Sequence, residues 1–242
     1  MASDSIIFFS DAHLSANLPA KTAHILDFFA SADFSNAKAV YILGDLFDFW
    51  IGPKHLELPD YKDVFAALES LTKKGKRINF LFGNRDFLVD KSFSTETGVK
   101  ILGESHELKI GGKKIWLTHG DLLCTLDKDY QSYRRLARSK LVKSAYGSIP
   151  QKASYAIGKK LRNLSTSLVS KKSYQEKTIT PKAVNALFKK GIDIIICGHI
   201  HNALHETADN NKELFTLGAF GNGGHYLIYE EGNFKLKQHH FQ

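Results

Sequence analysis

Short uninterrupted apolar runs alternate along this chain with stretches whose apolar residues recur every three or four positions. Ser5 to Ser10, Lys38 to Leu43 and Ile78 to Phe82 read as strands, and the lack of polar alternation in VYIL and INFLF predicts strands covered on both faces. Between them, Pro19 to Ala32 carries Ala23, Leu26, Phe29 and Ala30 at helical spacing, and Tyr61 to Lys74 does so through Val64, Leu68 and Leu71, with Gly75 as its cap. Glu107 to Ile110 and Lys114 to Thr118, joined across Gly111-Gly112, predict a hairpin. The β-rich rhythm stops at Lys128. From there to about Tyr174 the pattern is helical and basic, with Tyr133, Leu136, Ala137, Leu141 and Tyr146 on one stripe whose expected role is packing. The rhythm resumes with a helix from Pro181 to Lys190, closed by Gly191, and a strand from Ile192 to Cys197. Leu214 to Leu217, Tyr226 to Tyr229 and Phe234 to Gln238 are expected as antiparallel strands. The fold class is therefore α/β: an α/β sandwich interrupted by a helical cap, with a core of 1–127 and 178–242 and the cap insertion at 128–177.

Composition changes this picture little, and charge changes it more. With 242 residues, 43% apolar and 24% charged, the chain has the make-up of a soluble globular protein. No apolar run approaches the ~20 residues that span a bilayer. Two cysteines make no disulfide framework and the first residues do not read as an export leader, so a cytoplasmic location is expected. The net charge of +8 is uneven: residues 128–177 hold thirteen basic and two acidic side chains, leaving 20 basic against 23 acidic elsewhere. A basic insert in a near-neutral frame predicts an anionic partner, whether phosphate, nucleic acid or a lipid surface.

The candidate chemistry sits where strands end. Asp11-Ala12-His13, Gly44-Asp45-Leu46-Phe47-Asp48, Gly83-Asn84-Arg85-Asp86, His119-Gly120-Asp121 and Gly198-His199-Ile200-His201 each follow a β-like run. Loops at the carboxyl ends of strands converge at one sheet edge, so the clusters should meet there. Their oxygen and nitrogen donors suit Mn²⁺, Fe²⁺ or Zn²⁺ rather than a thiolate site. Asp11, His13, Asp45, Asn84, His119, His199 and His201 make seven donors, more than one centre needs; a carboxylate can bridge two cations, and Asp45 is the expected bridge. Residues at i, i+2 on an extended chain point apart, so the D-x-H and H-x-H pairs need turns to serve one centre.

SDAH, GDLFD, GNRD, THGD and GHIH, in this order over nearly the whole chain, resemble the calcineurin-like metallophosphoesterases. The resemblance implies a β-sandwich with a two-metal centre: one cation on Asp11, His13, Asp45 and His201, the other on Asp45, Asn84, His119 and His199. Most of that superfamily has a histidine after the Asn of the GN motif, where this chain has Arg85. An arginine does not donate a proton at neutral pH but offers phosphate a bidentate fork, which suits a pyrophosphate whose leaving group needs little protonation. YILGDLFDFWIG, GNRDFL and HGDLLCTLDKDYQSYR resemble the UDP-2,3-diacylglucosamine pyrophosphatases of lipid A synthesis. That likeness implies release of UMP and 2,3-diacylglucosamine 1-phosphate with Mn²⁺ as the expected metal, and a substrate-covering cap. It also implies peripheral contact with the cytoplasmic face of the inner membrane. Asn84, Arg85 and His199 are its implied catalytic residues. Asn84, Arg85, Asp127, Tyr130, Arg162, Ser165, Lys172 and His199 match its substrate contacts. No nucleic acid and no protein partner are expected, the rival reading being a nuclease or nucleotide phosphodiesterase. His24, His55, His106, His205, His225 and the pair His239-His240 lie outside the clusters, the last two expected at the surface. Cys124 reads as a small buried apolar group, and Asp48, Asp86 and Asp121 as residues that orient the ligands beside them.

Overall fold

A computed structural model of the protein describes residues 5–139, 149–150, 153–158, 160 and 173–241. Its eleven described strands form two sheets. The first has the order β11-β10-β1-β2-β3-β4, with β1 at Ile6–Phe9, β2 at Ala39–Ile42, β3 at Arg77–Leu81, β4 at Lys100–Gly103, β10 at His225–Glu230 and β11 at Asn233–Gln238. The second runs β5-β6-β7-β9-β8, with β5 at Ser105–Ile110, β6 at Lys113–Thr118, β7 at Ile194–Cys197, β8 at Leu204–Ala208 and β9 at Lys212–Thr216. The triples β1-β2-β3 and β6-β7-β9 are parallel. Parallel neighbours deliver their carboxyl ends to one edge, which is what gathers the polar loops.

Side-chain alternation divides the core. Phe8, Leu43 and Leu81 face Ile115, Leu117, Ile194, Ile196 and Phe215 between the sheets. Ile7, Phe9, Val40, Ile42, Ile78 and Phe80 pack outward against Ile25, Phe28, Val64, Leu68 and Phe93. Those outward partners belong to α1 (Pro19–Ala30), α3 (Lys62–Lys73) and α4 (Lys91–Thr97). Ile195 and Cys197 pack outward on Val184 and Phe188 of α6, Pro181–Lys189. A strand with apolar partners on both faces has no polar side, which explains VYIL, INFLF and IIIC.

Three expectations change. The helix foreseen to Ala32 stops at Ala30, because Ser31 turns extended (ψ 157°) and its hydroxyl accepts the Phe34 N–H, starting α2 at Ala32–Asn36. The segment foreseen as part of an antiparallel trio with β10 and β11 is instead β9, parallel to β7 in the other sheet; β8, polar and exposed along its length, is its antiparallel neighbour. On α5 (Lys128–Ala137) the stripe foreseen as packing is turned outward at Tyr133, 47% exposed, and Leu136, 66% exposed. Of that stripe Ala137 is buried as foreseen, and Arg134, outside the stripe, joins it on the inward face because buried acids wait beneath it. Leu141 and Tyr146 lie outside the described residues. Among the described residues no helix is long and apolar enough to cross a membrane.

Candidate metal centre

Backbone conformation explains how residues two apart can serve one centre. Asp11, His13, Asp45, His199 and His201 all have positive φ, between 50° and 73°. Side chains other than glycine avoid this left-handed region, and its use by five of the seven foreseen donors marks backbone held strained by its surroundings. The loops brace one another: Asp11 N–H donates to Gly44 O (3.2 Å), His13 N–H to Asp45 O (3.0 Å), and Leu14 N–H to Leu46 O (2.9 Å). Gly221 N–H and Phe220 N–H donate to Asp11 O and Ser10 O, both at 3.0 Å. Two glycines permit the crowding. A Cβ on Gly83 would overlap Asp45 Oδ1, and one on Gly198 would overlap Ser10 Oγ.

All seven donors meet. On one side Asp11 Oδ1 lies 3.2 Å from His201 Nε2 and 3.6 Å from His13 Nε2. On the other, Asn84 Oδ1 lies 2.8 Å from His119 Nε2 and 3.0 Å from His199 Nδ1. Asp45 stands between, with Oδ1 at 3.7 Å from His119 Nε2 and Oδ2 at 3.8 Å from His13 Nδ1. Asp11 also lies within reach of both groups, but its Oδ2 already accepts from Ser10 Oγ (2.6 Å) and His199 N–H (3.0 Å). Asp45 is thus the carboxylate whose two oxygens face opposite sides. His119 Nδ1–H donates to Leu43 O at 2.8 Å, which fixes the ring's orientation and turns Nε2 into the centre.

Charge is finely divided here. Burial raises the Asp11 carboxyl, yet His119, His201 and His13 outweigh it and hold the group well below the ordinary range. Burial raises Asp45, opposed by His119 and Arg85. Burial drives His13 well down, and burial with His119 alongside takes His199 down to about 4. Both rings are therefore neutral near pH 7, the form that ligates. His13 Nδ1 is buried without a hydrogen-bond partner. An unpartnered imidazole nitrogen facing a carboxylate, among oxygen and nitrogen donors with no thiolate, fits a divalent cation.

The three neighbouring aspartates each hold something. Asp86 accepts from Asp45, Leu46, Phe47 and Gly83 N–H groups at 2.8 to 3.4 Å, locking the GDLF and GN loops together. Burial and the adjacent Asp45 push it up to about 7. Asp121 Oδ2 accepts from Tyr130 OH (2.5 Å) and Arg138 Nη2 (3.2 Å), and Asp48 Oδ1 from Arg85 Nη1 (2.6 Å). Tyr130 stacks over His199 with centroids 6.4 Å apart. Asp127, foreseen as a substrate contact, caps α5 by accepting from Tyr130 N–H at 3.1 Å. Arg162, Ser165 and Lys172 lie outside the described residues. Cys124 is buried, as foreseen, whereas His239 is more enclosed than a surface residue and pairs with Asp27 at 2.7 Å.

Sequence reasoning missed the anchor of α5. Arg138 donates to Glu104 Oε1 (2.5 Å) and to Gly83 O (2.8 Å). Arg134 faces Glu104 Oε2 at 2.6 Å and Asp121 Oδ2 at 3.2 Å as ion pairs off hydrogen-bond alignment. Two of the thirteen basic residues counted toward an anionic partner are thus occupied within the fold. Their i, i+4 spacing was the available signal. Ser10 was missed too, although it directly precedes Asp11.

The family model for "Calcineurin-like phosphoesterase" matches residues 5–203. The chain is 36% identical to the UDP-2,3-diacylglucosamine hydrolase of Coxiella burnetii over 236 residues, covering 96% of each chain. It is 35% identical to the protein of that name from Aeromonas hydrophila, over 97% of this chain and 98% of that one. Identity to the Yersinia pestis protein of that name is 40%, over 83% of this chain and 84% of that one.

Proposed function

This chain belongs to the calcineurin-like phosphoesterase family, and from that premise we propose that it hydrolyses the pyrophosphate of UDP-2,3-diacylglucosamine to UMP and 2,3-diacylglucosamine 1-phosphate. The observation that carries this reading is Arg85, set beside seven converging donors where a histidine would serve a leaving group in need of a proton. Family membership implies divalent metal, and two ions, Mn²⁺ by preference, suit the donor set. Asp11, His13, Asp45 and His201 would hold one, and Asp45, Asn84, His119 and His199 the other. Such a pair supplies Lewis-acid charge to a phosphoryl oxygen and activates water for in-line attack at phosphorus.

The chain's own residues do the rest. Arg85 offers its guanidinium fork to the phosphoryl charge, a role that transfers no proton to the departing phosphate. Asn84 Oδ1 keeps the His119 and His199 nitrogens on one point. The Tyr130 ring shields His199 from solvent on the α5 side. The insert 128–177 serves as the cap over the glycolipid, through Tyr130, Arg162, Ser165 and Lys172, with Asp127 at the last core position before it. Exposed Leu126, Tyr133 and Leu136 beside basic residues suit peripheral contact with the cytoplasmic face of the membrane. No nucleic acid or protein partner enters this reading.

Purified protein given UDP-2,3-diacylglucosamine and Mn²⁺ should release UMP. Excess EDTA should abolish the release, and Mn²⁺ should restore it better than Ca²⁺, because imidazole-rich sites disfavour Ca²⁺. Full activity in EDTA would refute the metal chemistry, and absence of UMP would refute the substrate.

Cap and centre should separate by mutation. Arg162→Ala and Lys172→Ala should leave hydrolysis of bis(p-nitrophenyl) phosphate nearly unchanged. Each should lower kcat/KM on the glycolipid roughly ten- to a hundredfold, as expected for a lost charge-assisted contact. If both changes instead weakened cleavage of single-stranded RNA while the glycolipid went untouched, a nuclease would replace this reading.

A further inference from the structure

Arg85 is shared between two carboxylates whose duties differ. Its main-chain N–H donates to Asp45 Oδ1 (2.9 Å) and its Nε lies 3.1 Å from Asp45 Oδ2, while its Nη1 donates to Asp48 Oδ1 at 2.6 Å. Among the described residues its Nη2 has no protein partner. Asp48 is itself well fixed: its N–H donates to Leu14 O (2.9 Å) beside the Leu14–Phe47 bridge. The preceding Phe47 is fully buried against the rings of Trp50, Tyr61 and Phe93.

This arrangement answers an electrostatic conflict. A guanidinium at 3.1 Å from Asp45 competes for the same carboxylate that cations at this centre require. With no second anion within reach, the guanidinium would settle wholly on Asp45 and withdraw its charge from the centre. Asp48 offers the alternative. It draws Nη1 aside and fixes the plane of the guanidinium, so that the edge carrying Nη2 is left for a phosphate oxygen.

We propose that Asp48 is a positioning residue for Arg85: by holding Nη1 it limits the guanidinium's grip on Asp45 to the single Nε contact, which leaves that carboxylate available to cations, and it aims the remaining edge at the substrate phosphoryl group. The second half rests on the phosphoesterase reading above, whereas the first concerns cation binding alone. Asp48 touches neither substrate nor cation in this scheme, and the share of its effect that runs through Arg85 is what a double-mutant cycle isolates.

The test is a double-mutant cycle on Mn²⁺ affinity without substrate, followed by the electron paramagnetic resonance signal of free Mn²⁺. Asp48→Asn should weaken Mn²⁺ binding about tenfold, within the range for groups that support a ligand. In the Asp48→Asn/Arg85→Ala double variant, affinity should return to that of Arg85→Ala alone, because the competing guanidinium is gone. Asp48→Glu, which keeps the charge, should lie between wild type and Asp48→Asn. On the substrate, Asp48→Asn should raise KM by a larger factor than it lowers kcat. Unchanged Mn²⁺ affinity in Asp48→Asn would overturn the proposal, as would a loss that persists in the double variant, since a general disturbance of the loop would not depend on Arg85. Failure of the wild type to release UMP would remove the substrate reading and leave the Mn²⁺ cycle to be judged on its own.

Discussion

Asp45→Ala should lower kcat/KM on UDP-2,3-diacylglucosamine by about a thousandfold or more, and stoichiometric Mn²⁺ binding should fail with it. The size follows from position. Asp45 Oδ1 faces His119 and Oδ2 faces His13, so one truncation takes a donor from both sides of the centre. Charge stabilisation by such ions is worth several kcal/mol, and each ~1.4 kcal/mol is tenfold in rate. The truncation also takes the acceptor of the Arg85 main-chain N–H and Nε, leaving the guanidinium to Asp48. His199→Ala takes a nitrogen from one side only and should be the milder change. Steady-state kinetics and metal counting on the two variants decide the matter. If His199→Ala proved worse, Asp45 would not be the bridge.

The sequence revealed the centre more fully than the frame around it. Every donor follows an apolar run and a turn, and local spacing exposes that arrangement. The left-handed backbone at Asp11, His13, Asp45, His199 and His201 was anticipated only as a need for turns, because contacts from other loops impose the torsion angles. Sheet membership was harder. The apolar run around Leu214 looks like its neighbours at Tyr226 and Phe234, and only the depth of packing against Ile195 and Phe188 assigns β9 to the other layer. Exposed β8 offered almost no signal, since a strand covered on neither face has no apolar period. Arg134 and Arg138 read as surface charge because their partners, Glu104 and Asp121, sit on strand-end loops that only the fold brings beneath α5. Asp86 was expected to orient a neighbouring ligand; its larger task, gathering four amides from two loops, depends on a contact forty residues away in sequence.

The same close approach of loops underlies Gly83→Ala, which should remove metal-dependent activity without replacing a donor. The new Cβ would overlap Asp45 Oδ1 and stand 2.9 Å from its Cγ. The loops cannot part easily, because Asp86 accepts from both Asp45 N–H (3.2 Å) and Gly83 N–H (2.9 Å). Either Asp45 leaves its place or the Asp86 bonds break. Overpacking of this kind costs about 1–3 kcal/mol, so Tm should fall even in chelator. The diagnostic quantity is the response to metal. Mn²⁺ at about a hundred times its Kd should stabilise the wild type by about 2.7 kcal/mol, a rise in Tm of roughly 5–10 °C for a chain of this length. Gly83→Ala should lose that rise. Gly75→Ala provides the contrast: with φ at +90° and nothing within 4 Å of the added carbon, it strains the backbone after α3 and touches no part of the centre. It should cost about 1–2 kcal/mol of stability, with a matching fall in Tm, and keep the full Mn²⁺ response. A Gly83→Ala protein that retained both the response and the activity would show that Asp45 is free to move, and that the centre does not depend on the contact between these two loops.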